Sequence, residues 1–344
     1  VLNSAQGVLV EAEGGQSQVD AFVEELRARP PRLAVVASFE TMRLPDRGER
    51  GFRVETSAEE GEPEAFLLPD LGLCEDCRRE IFDPHNRRYR YPFTTCTHCG
   101  PRYSITASLP YDRPRTTMAD FPMCAACEAE YHDPADRRFH AQTNCCPRCG
   151  PWLELWSREG RMLAPRDEAL HLAAEAVREG RILALKGIGG FHLICDARNR
   201  EAIVELRRRK HRPTKPFAVM VPDHPHPLLH TPASPIVLVE NTLHLPEEIA
   251  PANPLLGLMI PYSPLHALLM AELGFPVVAT SGNLTDDPIC YDEREALVRL
   301  GRVADLFLVH NRRILRPVDD SVVREIAGEP VLLRRARGYA QLPF

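Results

Sequence analysis

The chain has 344 residues, of which 44% are hydrophobic and 26% are charged, and its formal net charge at pH 7 is -6. This length favours two or three domains, and the composition is ordinary for a protein with a buried core. The acidic balance counts against nucleic-acid binding over the whole surface, and no apolar run reaches the eighteen or so residues that a membrane span needs.

Residues 1–60 are predicted to form a first piece in the order strand, helix, strand, strand. GVLVEAEG, residues 7–14, alternates in hydrophobicity like a strand, and residues 17–29 place apolar side chains at helical spacing. LAVVASFETMRL, residues 33–44, and GERGFRVETS, residues 48–57, indicate two further strands.

This first piece resembles the C-terminal part of the acylphosphatase family, which has a ferredoxin-like fold. VLNSAQGVLVEAEG matches a strand end of that family, and GFRVETS matches its last strand. The resemblance implies that Asn3 takes the place of the Asn that orients the attacking water. The family's phosphate-binding loop and its Arg precede this stretch, and the chain starts at Val1 without an initiator Met. We therefore expect a fragment in which Asn3 is a catalytic remnant without acylphosphatase activity.

A polar linker, AEEGEPEA at residues 58–65, is predicted to lead into a duplicated cysteine module at residues 66–155. Residues 74–101 and 124–151 carry the same pattern fifty positions apart: two Cys-x-x-Cys pairs, an Asp-Pro, an Arg-Arg and a closing Gly-Pro. Four thiolates in two such pairs suit tetrahedral zinc. The sequence thus predicts two zinc ribbons with the ligands Cys74, Cys77, Cys96, Cys99, Cys124, Cys127, Cys146 and Cys149.

We expect each zinc to take its ligands within one repeat, although crossed pairing between the repeats stays open. Disulfides and a thioredoxin-like redox site are the alternatives. Eight of the eleven cysteines fall in the paired motifs, which favours a metal in a reducing compartment, and hence a cytoplasmic protein. The module also interleaves arginines with aromatic residues, a mixture that could stack on bases. The arginines are Arg87, Arg88, Arg90, Arg137 and Arg138, and the aromatic residues are Tyr89, Tyr91 and Phe139. A structural role is favoured over nucleic-acid binding, because such a basic face usually packs its stems on aromatics.

Residues 160–344 alternate helix and strand patterns and predict a mixed α/β domain. Residues 167–180 and 199–213 read as helices, and strands such as FHLICDA and FPVVATS stand between polar turns. Three polar segments follow strand or helix ends: KGIGG at 186–190, RRRKHRPTK at 207–215 and TSGN at 280–283. Six cations from Arg207 to Lys215 are costly to gather without an anion, so phosphate binding is favoured over a solvated face. Backbone amides and hydroxyls of TSGN suit the same purpose.

Together these segments resemble the YrdC-like family. The matching runs are KGIGGFHLICDA, LRRRKHRPTKPFAVMV, LGLMIPYSPLH and VVATSGNLTDDPI. The resemblance implies ATP in a basic cleft, with magnesium, and transfer of AMP to a carboxyl or carbamate oxygen with release of pyrophosphate. It implies catalytic and phosphate-binding roles for Lys210, Arg212 and Lys215. The further predicted contacts to nucleotide or small substrate are Lys186, His266, Ser281 and Asn283.

The order of the three parts resembles the carbamoyltransferases of nickel–iron hydrogenase maturation. That resemblance implies carbamate made from carbamoyl phosphate, its adenylation with ATP, and transfer of the carbamoyl group to the C-terminal Cys of a HypE-type partner by a further domain. One alternative is a threonylcarbamoyl-adenylate synthase that serves tRNA modification; such proteins commonly carry an Arg where this chain has Met259. The other is a zinc-dependent regulator that binds nucleic acid.

Overall fold

The computed structural model describes residues 1–4, 6–31, 33–58, 66–285 and 287–340, so the predicted linker lies outside the described residues except for Ala58. The first piece contains two short antiparallel strands, β1 (Leu2–Asn3) and β2 (Val8–Leu9), and one helix, α1 (Gln16–Ala28). The predicted helix is thus confirmed.

The two further strands expected at 33–44 and 48–57 were wrong: the described residues there form no strand. The end of this stretch runs beside β1, where Glu55 N donates to Val1 O at 2.8 Å and Ala58 N donates to Asn3 O at 2.9 Å. These isolated bonds do not form the hydrogen-bond ladder of a sheet. A stretch of alternating apolar residues becomes a strand only when a partner strand pairs with it. Val36 and Phe52 are instead 51% and 61% exposed.

The cysteine module repeats its local geometry as well as its sequence. A short helix follows the first cysteine of each repeat, α2 (Glu75–Phe82) in the first and α3 (Ala125–His132) in the second. At corresponding positions after these helices, Arg90 and His140 both adopt the left-handed conformation, with φ of 53° and 52°. The two repeats therefore turn their chains in the same way between the cysteine pairs.

The remaining chain forms one eleven-stranded mixed sheet with four helices. The strands are β3 (Leu153–Ser157), β4 (Met162–Pro165), β5 (Leu183–Lys186), β6 (Phe191–Asp196), β7 (Ala218–Met220), β8 (Ile236–Glu240), β9 (Leu255–Met259), β10 (Val277–Ser281), β11 (Leu306–His310), β12 (Val322–Ile326) and β13 (Glu329–Arg334). The helices are α4 (Arg166–Arg178), α5 (Arg200–Lys210), α6 (Pro264–Leu273) and α7 (Glu293–Leu300). The strand order is β13-β12-β8-β9-β7-β10-β6-β5-β11-β3-β4. Strand β3 begins within the predicted cysteine module and β4 lies in the predicted α/β domain, so the sheet extends over the predicted boundary between them.

The sheet has an apolar core on each face, because alternate residues of a strand point to opposite sides. In β5, Leu183 and Leu185 belong to the core that contains α4 and α6, whereas Ala184 belongs to the core that contains α5 and α7. The first of these cores also includes Ile81 and Phe93 of the cysteine module. Among the described residues, none of the helices has the length and apolar character to traverse a membrane.

Candidate functional site

Each cysteine repeat gathers its own four sulfur atoms into one cluster. Within each set the Sγ atoms all lie within 4.8 Å of one another. In the first repeat, Sγ of Cys96 lies 3.6 Å from that of Cys74 and 3.9 Å from that of Cys99. Four sulfurs about 2.3 Å from a tetrahedral zinc would be roughly 3.8 Å apart. The donor set therefore fits zinc, and the eight cysteines cluster within repeats, as predicted.

The second repeat has the same spacing: Cys124 and Cys146 are 3.7 Å apart, and Cys146 and Cys149 are 3.8 Å apart. All eleven cysteines are free thiols, so the disulfide interpretation is wrong in this structure. Cys145, whose counterpart in the first repeat is Thr95, is buried and receives a hydrogen bond from the Tyr91 hydroxyl at 3.6 Å. Burial raises the pKa of the Cys145 thiol, which suits an inert core residue.

The arginines of the module bind protein groups rather than form a stacking surface. Arg88 and Arg138 are only 2% and 3% exposed, and each forms an ion pair with a glutamate of the other repeat. A side chain that is buried in this way cannot lie against a base. Arg87 and Arg137 form ion pairs with the same two glutamates. These four arginines, which the pattern suggested as a nucleic-acid-binding face, therefore hold the two repeats together.

Lys210 joins the end of α5 to the turn after β10. The helix stops there because His211 adopts the left-handed conformation, with φ of 54°, shortly before Pro213. The buried Nζ donates to Ser281 O and to Asn283 Oδ1, each at 2.6 Å, and also to Asn283 O. Lys210 is thus brought into direct contact with two other predicted site residues, Ser281 and Asn283, which lie 71 and 73 positions further along the chain.

Arg212 lies beside this group and is fixed by the same loop. Its Nη1 donates to Thr280 Oγ1 at 3.1 Å, its Nε donates to Lys215 O at 3.1 Å, and its guanidinium lies 5.1 Å from the centre of the Phe217 ring. Lys215 itself is exposed, and in the described part of the chain its ammonium has no hydrogen bond or ion pair. The loop therefore presents one fixed and one free cation near the β10 turn.

Not all cations of the basic run face this group. Arg207 is buried and donates to the backbone oxygens of Arg212 and Ile249, at 2.7 and 3.1 Å. Arg208 and Arg209 both pair with Glu205. Half of the six predicted cations thus stabilise the helix and its loop.

The electrostatics of this group of residues favour an anion. Burial, together with the nearby charge of Arg212, lowers the pKa of Lys210 to about 7. Burial and the charge of Arg207 lower the pKa of Arg212 to about 10. Both shifts mean that positive charge is costly here, and a bound phosphate would relieve that cost.

Lys186 points to a different place from the Lys210 group. Its buried ammonium pairs with Glu293 at the start of α7 and donates to His310 O at 3.2 Å. It lines a cavity between the cysteine module and the sheet, together with Phe93 and Arg312. Its predicted contact with nucleotide stays a prediction.

Arg312, which sequence reasoning did not identify, is a second cation of this cavity. It is 5% exposed, lies 5.3 Å over the Phe93 ring and, within the described residues, makes no hydrogen bond or ion pair. Burial lowers its pKa. No local motif marks it, because its environment is made by residues from distant parts of the chain.

His266 lies in the first turn of α6 and is fully buried. Its Nδ1 is 2.7 Å from Ser263 Oγ, its Nε2 has no partner among the described residues, and its ring lies 4.6 Å from that of Tyr262. Burial and the neighbouring His192 hold its pKa well below the usual range, so the ring is neutral. The unpaired Nε2 leaves one hydrogen-bonding position for a small molecule.

Asp320, which ends the polar VDD segment at 318–320, anchors the wall next to His266. Its Oδ2 is 3.0 Å from His192 Nε2, and its Oδ1 accepts from Arg337 Nε at 2.9 Å. Asn3, by contrast, is half-buried in β1, and its described contacts are with the first piece alone. Its role as a catalytic remnant stays a prediction.

Three family models match the chain. One, described as telomere recombination and covering the Sua5, YciO and YrdC proteins, matches residues 175–336. The model described as HypF finger matches residues 73–106 and 123–156, and the one described as acylphosphatase matches residues 1–54. The finger matches contain all eight clustered cysteines.

Whole-chain relatives agree with these matches. Carbamoyltransferase HypF of Synechocystis sp. is 51% identical over 358 residues, which cover 100% of this chain and 46% of that protein. The HypF protein of Rhodobacter capsulatus is 49% identical, over 98% of this chain and 46% of its own length. A crystal structure of full-length HypF in the phosphate- and nucleotide-bound form matches with a TM-score of 0.92 and 44% identity, over 98% of this chain and 46% of that chain.

The chain belongs to the HypF family. It spans about half the length of the curated relatives it matches. A crystal structure of T.kodakarensis HypF matches with a TM-score of 0.87 and 40% identity, over 97% of this chain and 44% of that chain. These matches confirm the predicted fold class of this HypF family member. It has a partial acylphosphatase-like domain, two four-cysteine ribbons and a YrdC-like α/β domain.

Proposed function

We propose that the α/β domain of this HypF family member forms carbamoyl adenylate from ATP and carbamate. The observation that carries the proposal is the convergence of Lys210 and Arg212 with the Ser281–Asn283 turn in one group whose positive charges favour an anion. The crystal structure of full-length HypF to which this chain is similar is a phosphate- and nucleotide-bound form, which supports ATP as the anion.

The proposed reaction needs positive charge near the α-phosphate. A carbamate oxygen attacks the α-phosphorus, the bond to the bridging oxygen of the β-phosphate breaks, and pyrophosphate leaves with that electron pair. Carbamate and triphosphate repel each other, so Arg212 and Lys215 would offset the repulsion. Mg2+ would accompany ATP, with phosphate oxygens among its ligands.

Carbamate decomposes in water, so a shielded approach would protect it. One observation supports shielding on the side of the cysteine module: the buried cations Lys186 and Arg312 line a small cavity between module and sheet, with room for about one water molecule. The two zinc ions would hold the module in shape. In the complete protein we propose carbamoyl phosphate as the source of carbamate and the C-terminal Cys of a HypE-type protein as the acceptor.

Two observations favour this function over its alternatives. Met259, where threonylcarbamoyl-forming proteins commonly have an Arg, is fully buried in β9 and offers no charge to a threonine carboxylate. The arginines that suggested a nucleic-acid regulator are occupied within the module. Eight clustered thiols also support a reducing compartment, and we propose the cytoplasm.

ATP–pyrophosphate exchange tests the proposal directly. The zinc-loaded chain is assayed with bicarbonate and ammonia-derived carbamate, and in parallel with threonine plus bicarbonate. We expect carbamate-dependent exchange that falls at least 100-fold in Lys215→Ala, roughly the effect of losing one transition-state charge contact. Lys215 is exposed and has no partner in the described residues, so this change should leave the fold intact.

Arg208→Ala is the matched control, because Arg208 lies in the same basic run but pairs with Glu205 at the surface. It should retain the exchange rate of the unchanged chain. Exchange that depends on threonine would instead support the tRNA-modification alternative. A folded, zinc-loaded chain without exchange in either assay would contradict an adenylating centre that acts within these residues.

A further inference from the structure

The two cysteine repeats exchange arginines with each other. Arg87 of the first repeat donates through Nη1 and Nη2 to Cys127 Sγ of the second repeat, at 3.5 and 3.4 Å. Fifty positions later in the chain, Arg137 of the second repeat donates through Nη1 to Cys77 Sγ of the first, at 3.3 Å. Each candidate zinc ligand on a helix thus accepts hydrogen bonds from the opposite repeat.

The same reciprocity extends to the carboxylates beside these sulfurs. Glu130, on α3, lies 2.6 Å from Nη2 of both Arg87 and Arg88. Glu80, on α2, lies 2.6 Å from Arg137 Nη2 and also pairs with Arg138. Each glutamate thereby orients two arginines that come from the other repeat.

Buried backbone contacts fix the second arginine of each pair. Arg88 Nε donates to Cys145 O at 2.9 Å, and Arg138 Nε donates to Thr95 O at 3.0 Å. Cys145 and Thr95 occupy corresponding positions, each just before a cysteine ligand. The two halves of the contact are therefore related like the halves of a symmetric dimer.

The charges explain why such an exchange stabilises the module. A zinc ion with four thiolates carries a net charge of about -2, and burying that charge is costly unless cations compensate it. Charge-assisted N–H donors to a metal-bound sulfur favour its deprotonated, ligating form. Cys77 and Cys127 are both fully buried, so the arginines from the other repeat supply this compensation where water does not.

The position of each arginine in the chain links the two centres. Arg87 lies in the segment between Cys77 and Cys96, which the first metal closes into a loop. Arg137 lies in the corresponding segment between Cys127 and Cys146. Because metal binding and folding of such a loop are coupled, loss of one metal would release the loop that carries the cations of the other.

We propose that the two zinc centres form one reciprocal unit, in which each metal holds the loop whose arginines neutralise the thiolates of the other. Release of zinc from one repeat then speeds release from its neighbour, and by linkage the effect is mutual. This inference concerns metal retention and does not depend on the proposed adenylation.

Metal release can be followed at each repeat separately. The zinc-loaded chain is mixed with a chelator and a thiol-alkylating reagent, and mass spectrometry measures alkylation of each cysteine with time. In Arg137→Met we expect alkylation of Cys74, Cys77, Cys96 and Cys99 to become about tenfold faster, the lower end for loss of a group that supports a ligand. The cysteines of Arg137's own repeat should follow later, and Arg87→Met should reverse the order.

Two further variants distinguish this effect from general loosening. Arg79→Met removes a cation from α2 whose side chain is 70% exposed and pairs with Asp76, so alkylation should not change. Cys124→Ser removes one ligand of the second centre and leaves Arg137 unchanged in the sequence. We expect it to speed alkylation in the first repeat, whereas independent centres would leave the first repeat unaffected.

The order of alkylation decides the matter. The proposal would be overturned if, in Arg137→Met, the cysteines of the second repeat were alkylated first, if both repeats were alkylated at the same time, or if alkylation of neither repeat became faster. Circular dichroism of the zinc-loaded variant checks the fold. If Arg137→Met does not fold with zinc, Arg137→Lys replaces the two-pronged donor by a single ammonium and should show the same order with a smaller factor.

Discussion

At the scale of single residues, Lys210 joins a structural role to a binding role. Its ammonium has three N–H groups, and the three oxygens that it contacts belong to Ser281 and Asn283. A neutral amine would lose one of these bonds. Yet burial and the charge of Arg212 lower its pKa to about 7, so the protonated form is only marginally stable without an anion.

We predict that nucleotide binding is accompanied by proton uptake at Lys210. A triphosphate nearby would raise its pKa from about 7 toward the ordinary value near 10.4. At pH 8 the chain should therefore take up about 0.9 proton per nucleotide, and the affinity should fall as the pH rises above 7. Calorimetry with a non-hydrolysable ATP analogue, in two buffers of different ionisation enthalpy, measures this uptake.

Lys210→Arg is the informative control for this titration, because a guanidinium stays charged throughout the range. Proton uptake should disappear in this variant while binding is retained in part. Uptake that persists in Lys210→Arg would assign the proton to another group, and proton release on binding would contradict the expected direction of the pKa shift.

At the scale of elements, the pairing of β6 with β10 positions the turn that Lys210 contacts. Ser281 is paired with His192, and directly after it Gly282 N donates to Phe191 O at 2.6 Å. A Cβ built on Gly282 would lie 2.5 Å from Phe191 Cβ and 2.8 Å from its carbonyl oxygen. The turn can lie this close to β6 only because residue 282 has no side chain.

We predict that Gly282→Ala lowers the free energy of unfolding by about 1–3 kcal/mol, the usual cost of overpacking. The displaced turn should also weaken binding of the ATP analogue. Urea denaturation and calorimetry measure the two effects. Gly14→Ala is the control, because its added methyl would meet no atom closer than 3.7 Å. Equal stability of Gly282→Ala and the unchanged chain would show that β6 yields easily.

Local patterns were predictable from the sequence, and contacts between distant segments were not. Cysteine spacing identified both sulfur clusters, since each is built from its own repeat. Alternating apolar residues suggested a strand around Val36, but alternation does not supply a partner strand. Arg87 and its acceptor Cys127 are 40 positions apart, so the exchange between repeats depends on how they pack. Lys186 likewise depends on Glu293, far along the chain.

At the scale of the whole molecule, the cysteine module and the sheet share one core. Ile81 and Phe93 of the first repeat belong to the same buried cluster as Leu153 of β3 and the inner faces of α4 and α6. The backbone also crosses this boundary, with Leu73 N donating to Tyr262 O at 2.9 Å. The module is therefore part of the domain's packing rather than an appended unit.

This shared core predicts how the molecule responds to loss of metal. Structural zinc contributes folding free energy directly, so its removal should unfold the module and uncover the α4–α6 face of the sheet. We expect a chelator to lower the melting temperature of the module and the sheet together, in one transition, and added zinc to restore it. Scanning calorimetry, with fluorescence of Trp156 on β3 as a probe of the sheet, measures the change.

Fluorescence adds a direct test of cooperativity, because the chain's two tryptophans report on different places: Trp152 lies beside Cys124 and Cys149 of the second repeat, and Trp156 on β3 packs against the core that contains α5 and α7. The chelator saturated with zinc beforehand is the control and should leave the transition unchanged. If the module were energetically separate, its melting would move to lower temperature while the sheet's transition stayed in place. The expected single transition would mean that the zinc centres stabilise the sheet through the shared core around Phe93.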